Sequence, residues 1–287
     1  MTPLPAATVI LVRDARAHPE VLLLRRQPRA SFMPHLHVFP GGRIDDDDAL
    51  VHPVASAARP HGVSDPEAPV LLRHPHAPAV AAARECFEEA GVLLAGGPGG
   101  SAGVHDPAVL ASARELLHAG GRPFHGLCRE LGWDLVLGEL APVARWITPA
   151  GERRRFDTLF FLARVPAGSA AVCDGAETID ECWLTAPEAL ARHAAGALPL
   201  APPTWAVLRD LAALGTAEEV QAWADARRPW PILPAFGVDE EGEPVLLLPG
   251  DRLCPRPPGC GADPAHPGGV TRVRGSAQGW VGEACPG

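Results

Sequence analysis

Arg84, Glu85, Glu88 and Glu89 crowd one positive and three negative side chains into the stretch AAARECFEEAGVLL, residues 81–94. On a helix advancing about 100° per residue, with Val80 at zero, the glutamates fall at about 80°, 140° and 180°. Ala82, Ala83, Cys86, Phe87 and Ala90 occupy the other arc, so a carboxylate face opposes an apolar one. Hard divalent cations bind such oxygens, often through one or two carboxylates with several waters kept. A cation would turn the mutual repulsion, about a few tenths of a kcal/mol per pair, into attraction. A plain solvated acidic face fits the spacing equally well. Arg84 stands four residues before Glu88, within pairing reach.

The surrounding elements must position this helix. Residues 6–14 and 20–27 predict paired strands, and HLHVFPGG begins as a strand that breaks at Pro40, Gly41 and Gly42. Residues 43–77, rich in Pro, His and Asp, predict a loop insertion. From Pro78 to Ala90 the pattern is helical, with Gly91 as the stop. Further helices are expected over 106–121, with Asp106 as N-cap, and over 123–133, 185–196, 204–214 and 216–228. Strands are expected in LVLGELAPVARWITP and RRFDTLFFLARVP, with a hairpin over 232–250 turning at 240–242. The Pro- and Gly-rich remainder, 251–287, predicts weak structure apart from a strand at 270–273. Strands and helices interleave without βαβ regularity, which favours a mixed α/β sandwich.

With 287 residues, 47% of them hydrophobic, the chain can bury a sizeable core. A formal net charge of −9 argues against a long polyanionic partner, so no nucleic acid is expected. Seven cysteines, odd in number and without C-x-x-C, argue against a disulfide framework. No apolar run is long enough to cross a membrane and none suits a signal peptide. The expectation is a cytoplasmic protein with no membrane partner, and a homodimer is left open.

Arg84 to Val92 resembles, position for position, the R-E-U-x-E-E-x-G-U half of the Nudix box, with Cys86 at an aliphatic position. Gly42 resembles the glycine that opens it. The family has fourteen positions from that glycine to the arginine; here there are 42 (84 − 42), an excess of 28. Counted back from Arg84, the mid-box glutamate falls on His76, which cannot replace it; an acid among Asp45–Asp48 is a candidate substitute. DDDD otherwise suits a solvated loop. The branch that includes the peroxisomal coenzyme A diphosphatases has such an insertion. It is also similar at FPGG, at RECFEEAGVLL and at WITPAGERRRFDTLFFLA (146–163), which together span most of residues 7–185, and more distantly at LLLPGD.

The resemblance implies a Nudix α/β/α sandwich over residues 1–250, with 43–77 inserted in its motif, additional helices after it and a tail over 251–287. It implies water attack on phosphorus in a nucleoside-linked diphosphate, with Mg²⁺ or Mn²⁺ held by Glu85, Glu88 and Glu89. Glu88 or Glu89 would orient or deprotonate the water, and Arg84 would brace the cluster by ion pairing. For the substrate, the candidates are Gly41 and Gly42 as a tight turn, Arg26 and Arg155 as charges, and Glu177 as an added acid, with Asp180 and Glu181 as rivals. Coenzyme A or an acyl-CoA, cleaved to 3′,5′-ADP and a 4′-phosphopantetheine, is the leading substrate. Other expectations are ADP-ribose, NADH or a nucleotide sugar, or a ligand-binding module that has lost catalysis. His35/His37, His74/His76 and the C-x₅-C of 254–260 lack the partners of a zinc site. The insertion suits a lid or a passive loop.

Overall fold

The computed structural model describes residues 2–16, 18–30, 32–51, 61–96, 105–166, 168–240, 242–251, 253–254, 270–276 and 279–284. The chain opens with β1 (Leu4–Arg13), β2 (Glu20–Arg26), β3 (His37–Val38) and β4 (Gly41–Arg43). A 3₁₀ turn (Asp46–Leu50), the short α1 (Val70–Arg73) and α2 (Ala77–Ala90) follow. Next come β5 (Ala95–Gly96), α3 (Pro107–His118), α4 (Phe124–Leu131), β6 (Asp134–Leu135), β7 (Ala141–Ile147), β8 (Phe156–Arg164) and β9 (Thr178–Thr185). The distal part holds α5 (Ala186–Ala194), α6 (Pro202–Leu211) and α7 (Ala217–Ala226). It ends with β10 (Pro231–Ile232), β11 (Ala235–Val238), β12 (Pro244–Leu247), β13 (Val270–Ser276) and β14 (Gly279–Ala284).

The main sheet runs β10-β7-β8-β1-β2-β3, with β4 also on β1 and β9 also on β2. It is mixed, β1 lying parallel to β8 and antiparallel to β2. Strands β1 and β2 pair only where Val12 and Arg13 meet Val21 and Glu20. Past that point β1 takes β4 as partner, through Ala6–Arg43 to Thr8–Gly41, and β2 takes β3. The sheet therefore splits, and the two glycines lie along the split as a short strand. The break expected at Gly41 and Gly42 is corrected accordingly: without Cβ atoms they pair where a side chain could not fit. A Cβ on Gly41 would stand 2.4 Å from Thr8 Oγ1.

Strand alternation sorts the core into two layers. Ala7, Val9 and Leu11 of β1, Leu22 and Leu24 of β2, and Leu159 and Phe161 of β8 pack under α2 with Val80, Phe87 and Leu94. Ile10, Val12, Leu23, Phe160 and Leu162 face the opposite way, under Ala189 of α5, Leu208 of α6 and Val220 of α7. A sandwich of helices on both faces of a mixed sheet results. Six alanines of α2 (77, 79, 81, 82, 83 and 90) are fully buried, so this helix can lie close against β1 and β4.

Both described arms of the insertion are built into this core. Ile44, Ala68 and Leu72 are buried there, and Val63 and His61 donate their N–H to Leu72 and Pro75 carbonyls. Asp65 accepts from the buried Arg145, which also grips Asp157. For residues 44–51 and 61–77 this replaces the expected loop or lid with packed structure; the segment between them lies outside the described residues. After residue 250 the expected strand at 270–273 is present within β13, and the expectation of weak structure elsewhere is corrected by β14. β11, β12, β13 and β14 form a second antiparallel sheet, with Val273 in the second core layer. The end of the C-x₅-C stretch lies outside the described residues, and Cys254 is buried beside Val245 and Leu247. Among the described residues no helix is long and apolar enough to cross a membrane.

Candidate active site

The acidic helix is almost enclosed, which decides against a solvated acidic face: Arg84 is 7% exposed and Glu89 3%. At its start, His76 is the N-cap residue, and His74 Nδ1 accepts the N–H groups of His76 and Ala77. The HPH motif is thus a helix start. At its end Gly91 takes the left-handed conformation, φ 68°, and donates to Phe87 O, as a C-cap glycine does.

Two of the three glutamates face the split in the sheet. Glu85 lies against Gly42, where an added Cβ would come within 2.5 Å of its carboxylate. Glu89 Oε2 accepts the N–H of Gly41 at 2.9 Å. Glu88 is the most open of the three and pairs with Arg84 at 3.1 Å. Arg84 joins the parts: Nη1 reaches Glu85 at 2.8 Å as well as Glu88, and Nη2 reaches the Arg43 carbonyl at 2.8 Å. Its Nε and Nη2 close a two-pronged pair with Asp48 at 2.9 and 3.0 Å.

Asp48 is the residue that counting back from the arginine missed. It is 2% exposed, and its carboxylate also accepts the Asp45 N–H at 2.8 Å. Counting forward from Gly42 by the family spacing arrives at Asp48, so the 28 extra positions lie between Asp48 and His76. The picture of DDDD as a solvated loop is corrected for Asp48 alone; Asp45, Asp46 and Asp47 are exposed.

The other candidates divide. Glu177 acts on Glu85 and Glu89, adding to the burial that raises both carboxyls, and Arg26 acts on Glu89 in the opposite sense. Arg26 stands opposite Thr178, the neighbour of Glu177, in the β2–β9 ladder, with its Nε–H on Phe32 O. Glu181 instead accepts the Cys173 N–H, and Asp180 stands opposite Arg25 in the β2–β9 ladder. Arg155 sits at the β7–β8 turn with Nε–H on Thr148 O, and it is not among the charges that act most on the three glutamates.

Burial pushes the Glu85 carboxyl up to about 8, with Glu88 and Glu177 adding and Arg84 opposing. Glu88 and Glu89 are also raised, chiefly by burial. Burial works against the Arg84 charge, yet Asp48 and the glutamates outweigh it and raise that group. One guanidinium thus serves three carboxylates, Asp48, Glu85 and Glu88, while Glu89 adds a fourth, and the surplus negative charge is what a divalent cation relieves. All the donors are hard oxygens, which fit Mg²⁺-type chemistry and not a thiolate metal. Among the described residues no three His, Cys, Asp or Glu side chains are gathered closely enough to hold a metal ion as they stand.

A split mixed sheet between helices, with an acidic helix set against paired glycines, fits the Nudix hydrolase class. The model of the NUDT19 Nudix domain matches residues 70–211. Human acyl-coenzyme A diphosphatase NUDT19 is 31% identical over 271 residues, covering 81% of this chain and 72% of that protein. The Gallus gallus protein of the same description is 31% identical over 284 residues, covering 83% and 74%. A crystal structure of a NUDIX hydrolase from Alicyclobacillus acidocaldarius shares 31% identity and a TM-score of 0.60, covering 77% of this chain and 96% of that one. The chain belongs to the Nudix hydrolases, in the branch of the NUDT19 Nudix domain. Enzymes of this family generally use divalent metals.

Proposed function

We propose that this chain is a Mg²⁺- or Mn²⁺-dependent diphosphohydrolase whose substrate is coenzyme A or an acyl-CoA. The observation that carries the reading is the convergence of Glu85 and Glu89 on Gly42 and Gly41, with Arg84 anchored on Asp48. The substrate is supported by the NUDT19 relatives, described as acyl-coenzyme A diphosphatases. The products would be 3′,5′-ADP and an (acyl-)4′-phosphopantetheine. With Asp48 in the place of the mid-box acid, a site that has lost catalysis loses its main support.

Glu85, Glu88 and Glu89 would hold the cation, which supplies positive charge for the diphosphate oxygens and for the charge that grows on them. Glu88, the most open of the three, orients the attacking water and takes its proton as oxygen bonds to phosphorus and the anhydride P–O bond breaks. Arg84 keeps Glu85 and Glu88 in register without touching substrate. The Gly41 N–H fixes Glu89, and the missing side chain of Gly42 leaves Glu85 its place. Arg26 at the rim offers charge to the substrate, and Glu177 adds a carboxylate beside the helix. Arg155 is proposed to act on a more distant part of the substrate. The hydrolase unit, expected over residues 1–250, is proposed to include β13 and β14 as well, since Val273 lies in the second core layer.

The net charge of −9 suits a small substrate better than nucleic acid. Among the described residues Cys86, Cys128, Cys173 and Cys182 form no disulfide, and the cytoplasm is kept as the proposed compartment. The test is an activity screen with Mg²⁺ and with Mn²⁺ across CoA, acetyl-CoA, ADP-ribose, NADH, a nucleotide sugar and nucleoside triphosphates. Highest kcat/KM on the CoA compounds is expected. Cleavage of ADP-ribose or NADH with CoA left intact would overturn the substrate and keep the class.

A further inference from the structure

The acidic helix ends where a helix is least suited to carboxylates. The C-terminal end of a helix carries partial negative charge, and cations in its last turn normally offset this. α2 has no basic residue in its last turn, yet Glu85, Glu88 and Glu89 all lie in its final two turns. Its last carbonyls need donors from elsewhere.

Those donors can be named one by one. Phe87 O takes the Gly91 N–H. Glu88 O takes Arg114 Nε at 2.8 Å and lies 3.1 Å from His118 Nε2, both on α3. Thr178 Oγ1 stands 3.5 Å from Glu89 O, and the Val172 N–H donates to Ala90 O at 2.9 Å. Arg114 also lies across Gly91, where an added Cβ would be 3.1 Å from its Nη1. Asp174 favours the Arg114 charge, and the Asp174 carboxylate ties the turn of residues 174–178 by accepting the N–H groups of Ala176, Glu177 and Thr178. That turn carries Glu177. Arg114 therefore sits at the joint between the helix bearing three acids of the site and the turn bearing the fourth.

We propose that Arg114 is a positioning residue for the hydrolysis: it fixes the carbonyl of Glu88 and neutralises the end of α2, and so sets the directions in which Glu88 and Glu89 project. The proposal rests on the metal-dependent reading given above. Arg114 touches neither substrate nor cation in this account. Its loss should leave substrate binding largely alone while weakening the cation's hold and the chemical step.

The experiment uses the full chain and three readouts: Mn²⁺ binding by electron paramagnetic resonance without substrate, kcat and KM on the best substrate of the screen, and the thermal midpoint. Arg114→Ala should weaken Mn²⁺ binding and lower kcat by about 10- to 100-fold each, the range for residues that orient metal ligands. KM for the nucleotide should stay within about twofold, the split expected when an interaction matters in the transition state only. Arg114→Lys, which keeps the charge but not the planar fork, should recover part of both. If Arg114→Ala does not fold, Arg114→Gln, which keeps a donor without charge, carries the same expectation. Wild-type Mn²⁺ affinity and kcat in a folded variant would overturn the proposal, as would a loss confined to the thermal midpoint. A wild-type chain that neither binds Mn²⁺ nor turns over would instead overturn the proposed function, and this inference would fall with it.

Discussion

Arg84 donates from all three of its nitrogens, to Asp48, Glu85, Glu88 and the Arg43 carbonyl. Removing the acid of such a buried pair strands a charge, which costs about 3–5 kcal/mol. Asp48→Ala is therefore expected to lower the unfolding free energy by about that amount in urea titration, and turnover with it. An unchanged midpoint would remove Asp48 from this role. The Glu85 carboxyl yields a second expectation. With its pKa near 8 in the folded state against an ordinary 4.5, the cation-free fold keeps a proton that the unfolded chain releases. Stability then falls as pH rises from about 4.5 through about 8. Ligation needs the carboxylate, so Mg²⁺ should raise the thermal midpoint more at about pH 8 than at about pH 6. Equal shifts at both would contradict the assignment of Glu85 as a ligand.

At the scale of elements, α2 and the paired glycines act as one unit. Gly42→Ala places a methyl group within 2.5 Å of the Glu85 carboxylate, so that side chain must move. Turnover should fall at least about tenfold with secondary structure retained, since displacing a ligand by about 1 Å costs far more in rate than in folding. Circular dichroism and steady-state kinetics on the same sample check this. Much of this unit was legible in the sequence: the helix over 78–90, its Gly91 stop and the pairing of Arg84 with Glu88 all follow from local spacing. The strand at Gly41–Arg43 was not, because its pairing with Ala6–Thr8 is long-range and glycine has no strand signal of its own. Asp48 was obscured for a related reason. Its partner Arg84 stands 36 positions on, and position counting from one end alone crosses the insertion in the wrong place.

Across the whole molecule, the parts least visible in the sequence are β14 and the joining of the 232–250 hairpin to β13 as a second sheet. β13 and β14 lie in Pro- and Gly-rich sequence, and their partners β11 and β12 come earlier in the chain. They are nonetheless fastened to the sandwich: Val273 is 1% exposed, and Trp280 donates Nε1–H to Leu200 O and its backbone N–H to His193 Nε2. Ending the chain at Gly250 exposes the face that Val273 covers, worth about 1.5–3 kcal/mol. It also removes the two Trp280 hydrogen bonds, worth about 1 kcal/mol each. A lower thermal midpoint is expected for that truncation, and an unaltered one would make this sheet a passive appendage.

The account turns on hydrolysis at Glu85, Glu88 and Glu89. The direct measurement is the conversion of CoA in ¹⁸O-labelled water with Mg²⁺ or Mn²⁺, by the wild-type chain and by Glu88→Gln, with CoA binding measured for both. The wild type should give 3′,5′-ADP and 4′-phosphopantetheine, one of them carrying the label. Glu88→Gln should bind CoA with similar affinity and turn over at least about a thousandfold more slowly, as expected when a group acts in the chemical step. Turnover of Glu88→Gln at the wild-type rate would contradict the account.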